Sequence, residues 1–396
     1  MTTSQSRDAA LDVDSLVWEA RARMGSTDGE DLAFIEELEI LAHSLDSEAR
    51  LTAEGRVAVR NALISSLLTQ LEMRRNLVDH PEIQEVHIVQ PIFIIGLLRT
   101  GSTLVHNLLA QHPDLRVPNL WELMYPTKTT ETHEELADKA QAYVEEYFRV
   151  APQLKVIHFL DARRPDECQR LLGNTFQSMV YEMRYRVPGY ANWLRKHDLT
   201  QAYQYHQLQL KHILWRIAGD RVVLKCPFHL WSLNALVHTY PTARFIYLHR
   251  DPTAILLSTC SLCATIRAAR SNYVDRDEIG QHWLAQIERG IKQVQKVRPI
   301  YLNDKPVLDV RYDDLMRDTL GIMNQICTFI GVRMTEEAER RMRLYLANNQ
   351  QGKHGIHRYA AEDFGLDSLE IDRRFHAYRI QYELASTYNN QKGRTL

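Results

Sequence analysis

From Met1 to about Pro81 the apolar residues fall at helical intervals, with Phe34, Leu38, Leu41 and Leu45 on one stripe and Leu63, Leu67, Leu68 and Leu71 on another within Val57 to Leu77. No strand pattern interrupts them. Residues 1–85 therefore read as an N-terminal helical extension, a cap or dimerisation segment whose stripes need either the rest of the chain or a second protomer of a homo-oligomer as partner. At Val86 the pattern changes, because HIVQPIFIIG is short, continuous and β-branched, as a strand buried on both faces reads. Further strands are predicted at Arg221 to Lys225 (RVVLK), Ala243 to His249 (ARFIYLH) and Pro306 to Val310 (PVLDV). Helical pattern separates each strand from the next, which predicts an α/β class with a mostly parallel sheet in residues 86–396. Glu134 to Phe148 and Arg164 to Ile217 read as long helical insertions, the second broken near Pro188-Gly189, so that an insertion spans about residues 130–218. Asn348 to Phe364 is polar and rich in His and Gly and reads as a loop, followed by a last helical stretch from Leu369 to Tyr388.

Composition narrows the function classes. The chain has 396 residues, 45% hydrophobic and 25% charged, as in a soluble globular protein. With 48 Lys plus Arg against 50 Asp plus Glu, the net charge of −2 supplies no general field for nucleic acid, so any anion site has to be built locally. The N-terminus lacks the basic and apolar regions of a secretory signal, and no run of 18 apolar residues occurs, so a cytoplasmic protein without a transmembrane segment is expected. Five scattered cysteines fit a reducing compartment, and the pair Cys260 and Cys263 reads as buried structural thiols.

Two constellations carry chemistry. The strand IFII runs into Gly96, Leu97, Leu98, Arg99, Thr100, Gly101, Ser102 and Thr103, and then into the helical LVHNLLAQ. A strand, a glycine-bounded turn and a helix N-terminus aim backbone N–H groups and a helix dipole at one point, which suits an anionic oxygen cluster. The spacing from Gly96 to Gly101 opens like a Walker loop, but Ser102 stands where the Walker lysine belongs, which disfavours an ordinary NTPase or kinase. Arg99 lies inside the loop and can reach a phosphate or sulfonate oxygen. In the second constellation FIYLH leads into Arg250, Asp251 and Pro252, with Asp251 as helix cap, Pro252 at the first helical position and Ser258 two turns on. Arg250 is thereby set at the carboxyl end of a strand, where open α/β sheets bind ligands.

GLLRTGST and YLHRDPTAILLS together resemble the two donor motifs of sulfotransferases that use 3′-phosphoadenosine 5′-phosphosulfate (PAPS). The chain is most similar to the bacterial branch with an N-terminal helical extension, through HPDLRVPNLWE, LKCPFHL, VRYDDL and HRYAAEDFGLD, and the resemblance runs from about Ile88 to Tyr388. Two positions depart from the family pattern: Leu98, where proline is common, and Ser102, where threonine is usual. The resemblance implies a P-loop-like three-layer fold in which Arg99, Thr100, Gly101, Ser102 and Thr103 hold the 5′ end of PAPS and Arg250 and Ser258 take the 3′-phosphate. It implies that Tyr312 lies near the adenine and that Lys353, His357 and Arg358 sit in a loop closing over the donor.

Sulfuryl transfer passes through a loose, in-line transition state, so positioning and charge stabilisation dominate, with a cation at the bridging oxygen and a base at the acceptor hydroxyl. Lys225, ending RVVLK, resembles the family cation, and Arg99 counts with it as catalytic. Glu122, in VPNLWELMYP, stands where related enzymes place a catalytic glutamate, with His229 as its rival. No acidic pair follows a strand to hold Mg²⁺, and by family precedent no metal is expected. Aromatic residues crowd the insertions, among them Phe148, Tyr181, Tyr185, Tyr190 and Trp193, and this favours a phenol, steroid, polyketide or lipid alcohol as acceptor over a carbohydrate. A binder of adenosine 3′,5′-bisphosphate without catalysis would keep the loop and Arg250 but need neither Lys225 nor Glu122.

Overall fold

The computed structural model describes residues 11–25, 32–349 and 360–386. Four strands, β1 at Ile92–Gly96, β2 at Val223–Lys225, β3 at Arg244–His249 and β4 at Val307–Arg311, form one parallel sheet in the order β2-β1-β3-β4. All four are the strands that the sequence predicts. The first is shorter than its apolar run because Pro91 lacks an N–H to donate and Gln90 turns with a φ of +45°.

Successive strand residues face opposite helical layers. Phe93, Ile95, Leu224, Phe245 and Tyr247 join a core with the helices Pro252–Ala268 and Arg276–Tyr301, while Ile92, Ile94, Val223, Ile246, Leu248 and Val310 join a second core with the helices Ser102–Leu109 and Thr319–Ile330. This sandwich of helix, sheet and helix is the three-layer α/β fold, and it explains the unbroken apolar runs of the strands.

The N-terminal helices Val13–Met24, Ile35–Glu48 and Ala53–Asp79 bury Leu16, Leu41, Leu63 and Leu67 in the first of these cores. Polar links tie them to the insertion: Glu48 accepts from the Gly189 N–H at 3.1 Å, and Ser44 Oγ accepts from the Tyr190 N–H at 3.0 Å. The stripes thus find a partner surface within the chain. The stretch Arg164 to Ile217 is not one broken helix but four, at Gln169–Gly173, Val180–Arg184, Pro188–Leu194 and Thr200–Arg216. Pro188 begins one of them, the position where its missing N–H costs nothing. The last helix, Ser368–Gln381, is shorter than its pattern. Among the described residues no helix is long and apolar enough to cross a membrane. All five thiols are free and buried.

Candidate active site

The carboxyl ends of the four parallel strands bring the chemistry together. Gly96, Lys225, His249 and Arg311 end β1, β2, β3 and β4, so the loop after β1, the Lys225 ammonium, Arg250 and Tyr312 all lie along one edge of the sheet. The loop is tightly folded. Arg99 has a φ of +64° and Gly101 one of +87°, and Thr100 Oγ1 donates to the Leu97 carbonyl at 2.9 Å. A Cβ at Gly96 would come within 2.8 Å of the Leu248 carbonyl oxygen, and one at Gly101 within 3.1 Å of the Tyr312 ring. Glycine is therefore required at both bounds of the turn by close approach as well as by φ.

The second constellation clamps the first. Arg250 Nη1 donates to the Arg99 carbonyl at 2.7 Å, and Arg99 Nε donates to Ser258 Oγ at 3.1 Å. The Arg250 guanidinium also stacks on Tyr312, 4.1 Å from the ring centroid. Asp251 caps the following helix through the Thr253 N–H and is held by Arg379 at 2.8 Å. Lys225 is 3% exposed, donates to Glu167 at 2.7 Å and lies 3.5 Å from Thr103 Oγ1.

Beside the loop opens a cavity of about 270 Å³. Arg99, Gly101, Ser102, Thr103, Arg250 and Tyr312 line it together with His158, Asp166, Glu167, Tyr143, Met183 and Phe228. Burial pushes the His158 imidazole below its ordinary pKa, with Lys225 and Arg99 acting in the same direction and Glu167 and Asp166 opposing. Its Nδ1 is buried without a hydrogen-bond partner. Asp166 is paired with Arg170 at 2.5 Å; burial raises its pKa, but Arg170, His158 and Lys225 outweigh that and hold it low.

Two expected residues lie elsewhere. Glu122 is 1% exposed but does not line the cavity; it closes a capping box, accepting from the Asn119 N–H at 2.8 Å, and is ion-paired with Arg116. His229 is fully buried, with Nδ1 2.7 Å from the Tyr203 hydroxyl and Nε2 3.2 Å from Cys168 Sγ, and burial drives its pKa well down. Neither lines the cavity. The first helix carries a third buried histidine, His106, whose pKa falls to about 3 through burial and the nearby Lys225. Lys353, His357 and Arg358 lie outside the described residues. The aromatic residues divide: Phe148, Phe176, Tyr190 and Tyr203 pack in the core, whereas Tyr143 and Tyr147, which the aromatic pattern did not single out, reach the cavity.

Residues 91–336, more than half of the chain, match the sulfotransferase family. The chain belongs to that family. The crystal structure of sulfotransferase STF1 from Mycobacterium tuberculosis H37Rv is 31% identical, covers 92% of this chain and 98% of its own, and superposes with a TM-score of 0.80. That of sulfotransferase STF9 from Mycobacterium avium, 24% identical, shares the fold with a TM-score of 0.84 over 94% of this chain and 97% of its own. The omega-hydroxy-beta-dihydromenaquinone-9 sulfotransferase Stf3 of Mycobacterium bovis is 25% identical over 320 residues, 77% of this chain and 79% of the relative. This sulfotransferase is thus a transferase of sulfuryl groups whose family implies PAPS as donor. His158, Asp166 and Glu167 carry no periodic signal because they sit in irregular backbone between the short helices Leu154–Ile157 and Gln169–Gly173.

Proposed function

We propose that this sulfotransferase moves the sulfuryl group of PAPS to a hydroxyl of a small, largely apolar acceptor, releasing adenosine 3′,5′-bisphosphate, without a metal. The observation that carries the reading is the interlock of Arg99, Arg250 and Ser258 at the sheet edge, opening directly onto the cavity. The glycine-bounded turn fits a phosphosulfate, since its backbone approaches where side chains at Gly96 and Gly101 would intrude.

PAPS supplies an activated sulfuryl group on a phosphate leaving group. Residues 99–103 orient its 5′ end through backbone N–H groups and the start of the helix Ser102–Leu109. Arg250 and Ser258 take the 3′-phosphate, and Tyr312 keeps the Arg250 guanidinium flat against its ring. Lys225, released from Glu167, neutralises charge at the bridging oxygen. For the proton we assign His158 in place of Glu122 and His229. It lines the cavity, burial keeps it neutral near pH 7, and its Nδ1 carries no hydrogen bond, whereas Glu167 and Asp166 are already paired. Arg99 and Lys225 provide the positive charge at the transferring group.

The apolar part of the cavity, with Met183, Val180, Phe228 and Leu262, supports an acceptor with a greasy body, and the Stf3 relative is named for omega-hydroxy-beta-dihydromenaquinone-9. The test is a screen of the purified protein with ³⁵S-labelled PAPS against diverse phenols and alcohols in excess EDTA. Labelled ester formed in chelator is the expected result. Tight bisphosphate binding with no transfer to any acceptor would leave a non-catalytic binder, and activity that vanishes with EDTA and returns with Mg²⁺ would overturn the metal-free mechanism.

A further inference from the structure

The reaction cavity continues past its aromatic wall. Beyond Tyr143, Tyr147, Arg170 and Arg184, which with Gln169, Val180 and Ile266 border both spaces, lies a second chamber of about 420 Å³, within the range of about 300–1,000 Å³ typical of small-molecule sites. One wall is the N-terminal helix Ala53–Asp79, through Val59, Leu63 and Ser66, and the rest includes Leu123, Met124 and Ile266. Into this mostly apolar space project three arginines, Arg170, Arg184 and Arg270. Arg170 is engaged by Asp166 and by the Tyr143 phenol. Arg184 and Arg270, both half-buried, make no ion pair among the described residues.

The carboxylate that borders the chamber, Glu146, is bound to Arg149 at 2.6 Å and lies more than half exposed at the rim. Arg270 feels Glu146, but Arg149 already engages that carboxylate, so the positive charge of Arg184 and Arg270 exceeds the negative charge bordering the chamber, an arrangement that is costly between apolar walls without a further counter-charge. The Tyr143 phenol reports the resulting potential: burial pushes its pKa up, yet Arg184, Arg170 and Arg270 outweigh burial and leave it below the ordinary value.

We propose that the second chamber is a subsite for an oxyanion at the end of the acceptor distal to its hydroxyl, held by Arg184 and Arg270. The preferred acceptor is then an amphiphile with three parts: a hydroxyl at the donor loop, an apolar body past Tyr143 and Tyr147, and a carboxylate-like group against the N-terminal helix. This rests on the proposed reading that the acceptor hydroxyl is sulfated in the first cavity. It also gives residues 53–79 a part in substrate choice. Arginine suits the task because its planar fork meets a carboxylate through two parallel hydrogen bonds and stays charged when half-buried.

The probe is 10-hydroxydecanoate and its methyl ester, titrated calorimetrically into protein saturated with adenosine 3′,5′-bisphosphate, so that no turnover is needed. The acid binds at least about tenfold more tightly than the ester, the scale of one charge-assisted contact. Arg184→Gln and Arg270→Gln each weaken the acid by about tenfold and leave the ester unchanged, and Arg184→Lys recovers part of the loss. Unaltered bisphosphate affinity certifies that each variant is folded. Should a glutamine variant fail to fold, the acid and ester comparison on the unsubstituted protein, with the lysine variant, decides the matter. Equal affinity for acid and ester, equal loss of both in the variants, or binding of neither overturns the proposal. A protein that does not bind the bisphosphate at all refutes the donor reading instead, and the two failures are distinct.

Discussion

On the proposed donor reading, Arg250 performs two tasks that one substitution can separate. Its Nη1 holds the carbonyl of Arg99, a residue at positive φ, at 2.7 Å, and its charge is free to meet a 3′-phosphate from the face opposite Tyr312. Arg250→Ala removes the charge-assisted contact to the phosphate, worth about 1.5–3 kcal/mol, and the brace on the loop, worth about 1 kcal/mol. The first loss falls only on nucleotides with a 3′-phosphate, and the second falls on anything held at the 5′ end. Adenosine 3′,5′-bisphosphate should therefore bind about 10² to 10³-fold more weakly, and adenosine 5′-phosphate only about fivefold more weakly. Calorimetric titration of both nucleotides into both proteins measures the difference directly. Equal losses for the two nucleotides would refute the assignment of the 3′-phosphate to Arg250, and a loss under about tenfold for the bisphosphate would refute the magnitude.

His158→Ala should lower kcat by about 10² or more on an aliphatic alcohol with bisphosphate affinity intact, and loss of both together would show a role in donor binding instead. Glu122→Gln should leave kcat near normal but destabilise the fold by about 3 kcal/mol in a urea titration, because Arg116 loses its buried partner. With the His158 pKa held below its ordinary value, kcat/KM on that alcohol should be flat around pH 7 and fall only below about pH 6.5 as the imidazole protonates. Stability should also fall with acid: burial lowers His106 and His206 to about 3 and His212 to about 4, so the unfolded chain takes up their protons from about pH 6.5 downward while the native chain does not. Each removes up to about 1.4 kcal/mol per pH unit in that window, and an unfolding midpoint that stays constant from pH 7 to 5 would contradict their burial as neutral groups.

The donor loop was legible in the chain because every determinant is local: glycine at the two bounds, arginine between them, an apolar strand before and a helix after. Arg250 was legible for the same reason, since Asp251 and Pro252 mark the strand end and the helix start in adjacent positions. The acceptor side was not. Glu122 stands where related enzymes place a catalytic glutamate, yet Asn119 three residues earlier forms the signature of a capping box with it, and that signal points to a carboxylate turned back on its own helix. His229 follows Lys225 by one turn of a 3-10 helix, which directs its ring into the core toward Tyr203 while the lysine faces the loop. His158 and Glu167 reach the cavity only because irregular backbone carries them there, and hydrophobic periodicity is silent about such segments.

The departure at Leu98 shows how the fold compensates for a lost local constraint. Proline before the loop arginine would stiffen the turn by narrowing the unfolded ensemble. Leucine does not, and it instead buries its side chain, 6% exposed, in the larger core. The conformation of Arg99 is then maintained by two partners remote in sequence, Arg250 on its carbonyl and Ser258 on its Nε, and locally by Thr100 closing back on Leu97. The first two bonds come from the residue after β3 and from the helix that follows, so the shape of the loop depends on the same two residues proposed to meet the 3′-phosphate. On the proposed reading, the residues that meet the nucleotide at its 3′ end also hold the loop at its 5′ end. A donor lacking the 3′-phosphate leaves Arg250 with only the loop to hold, and the cradle keeps its form but loses the charge-assisted grip that makes binding tight.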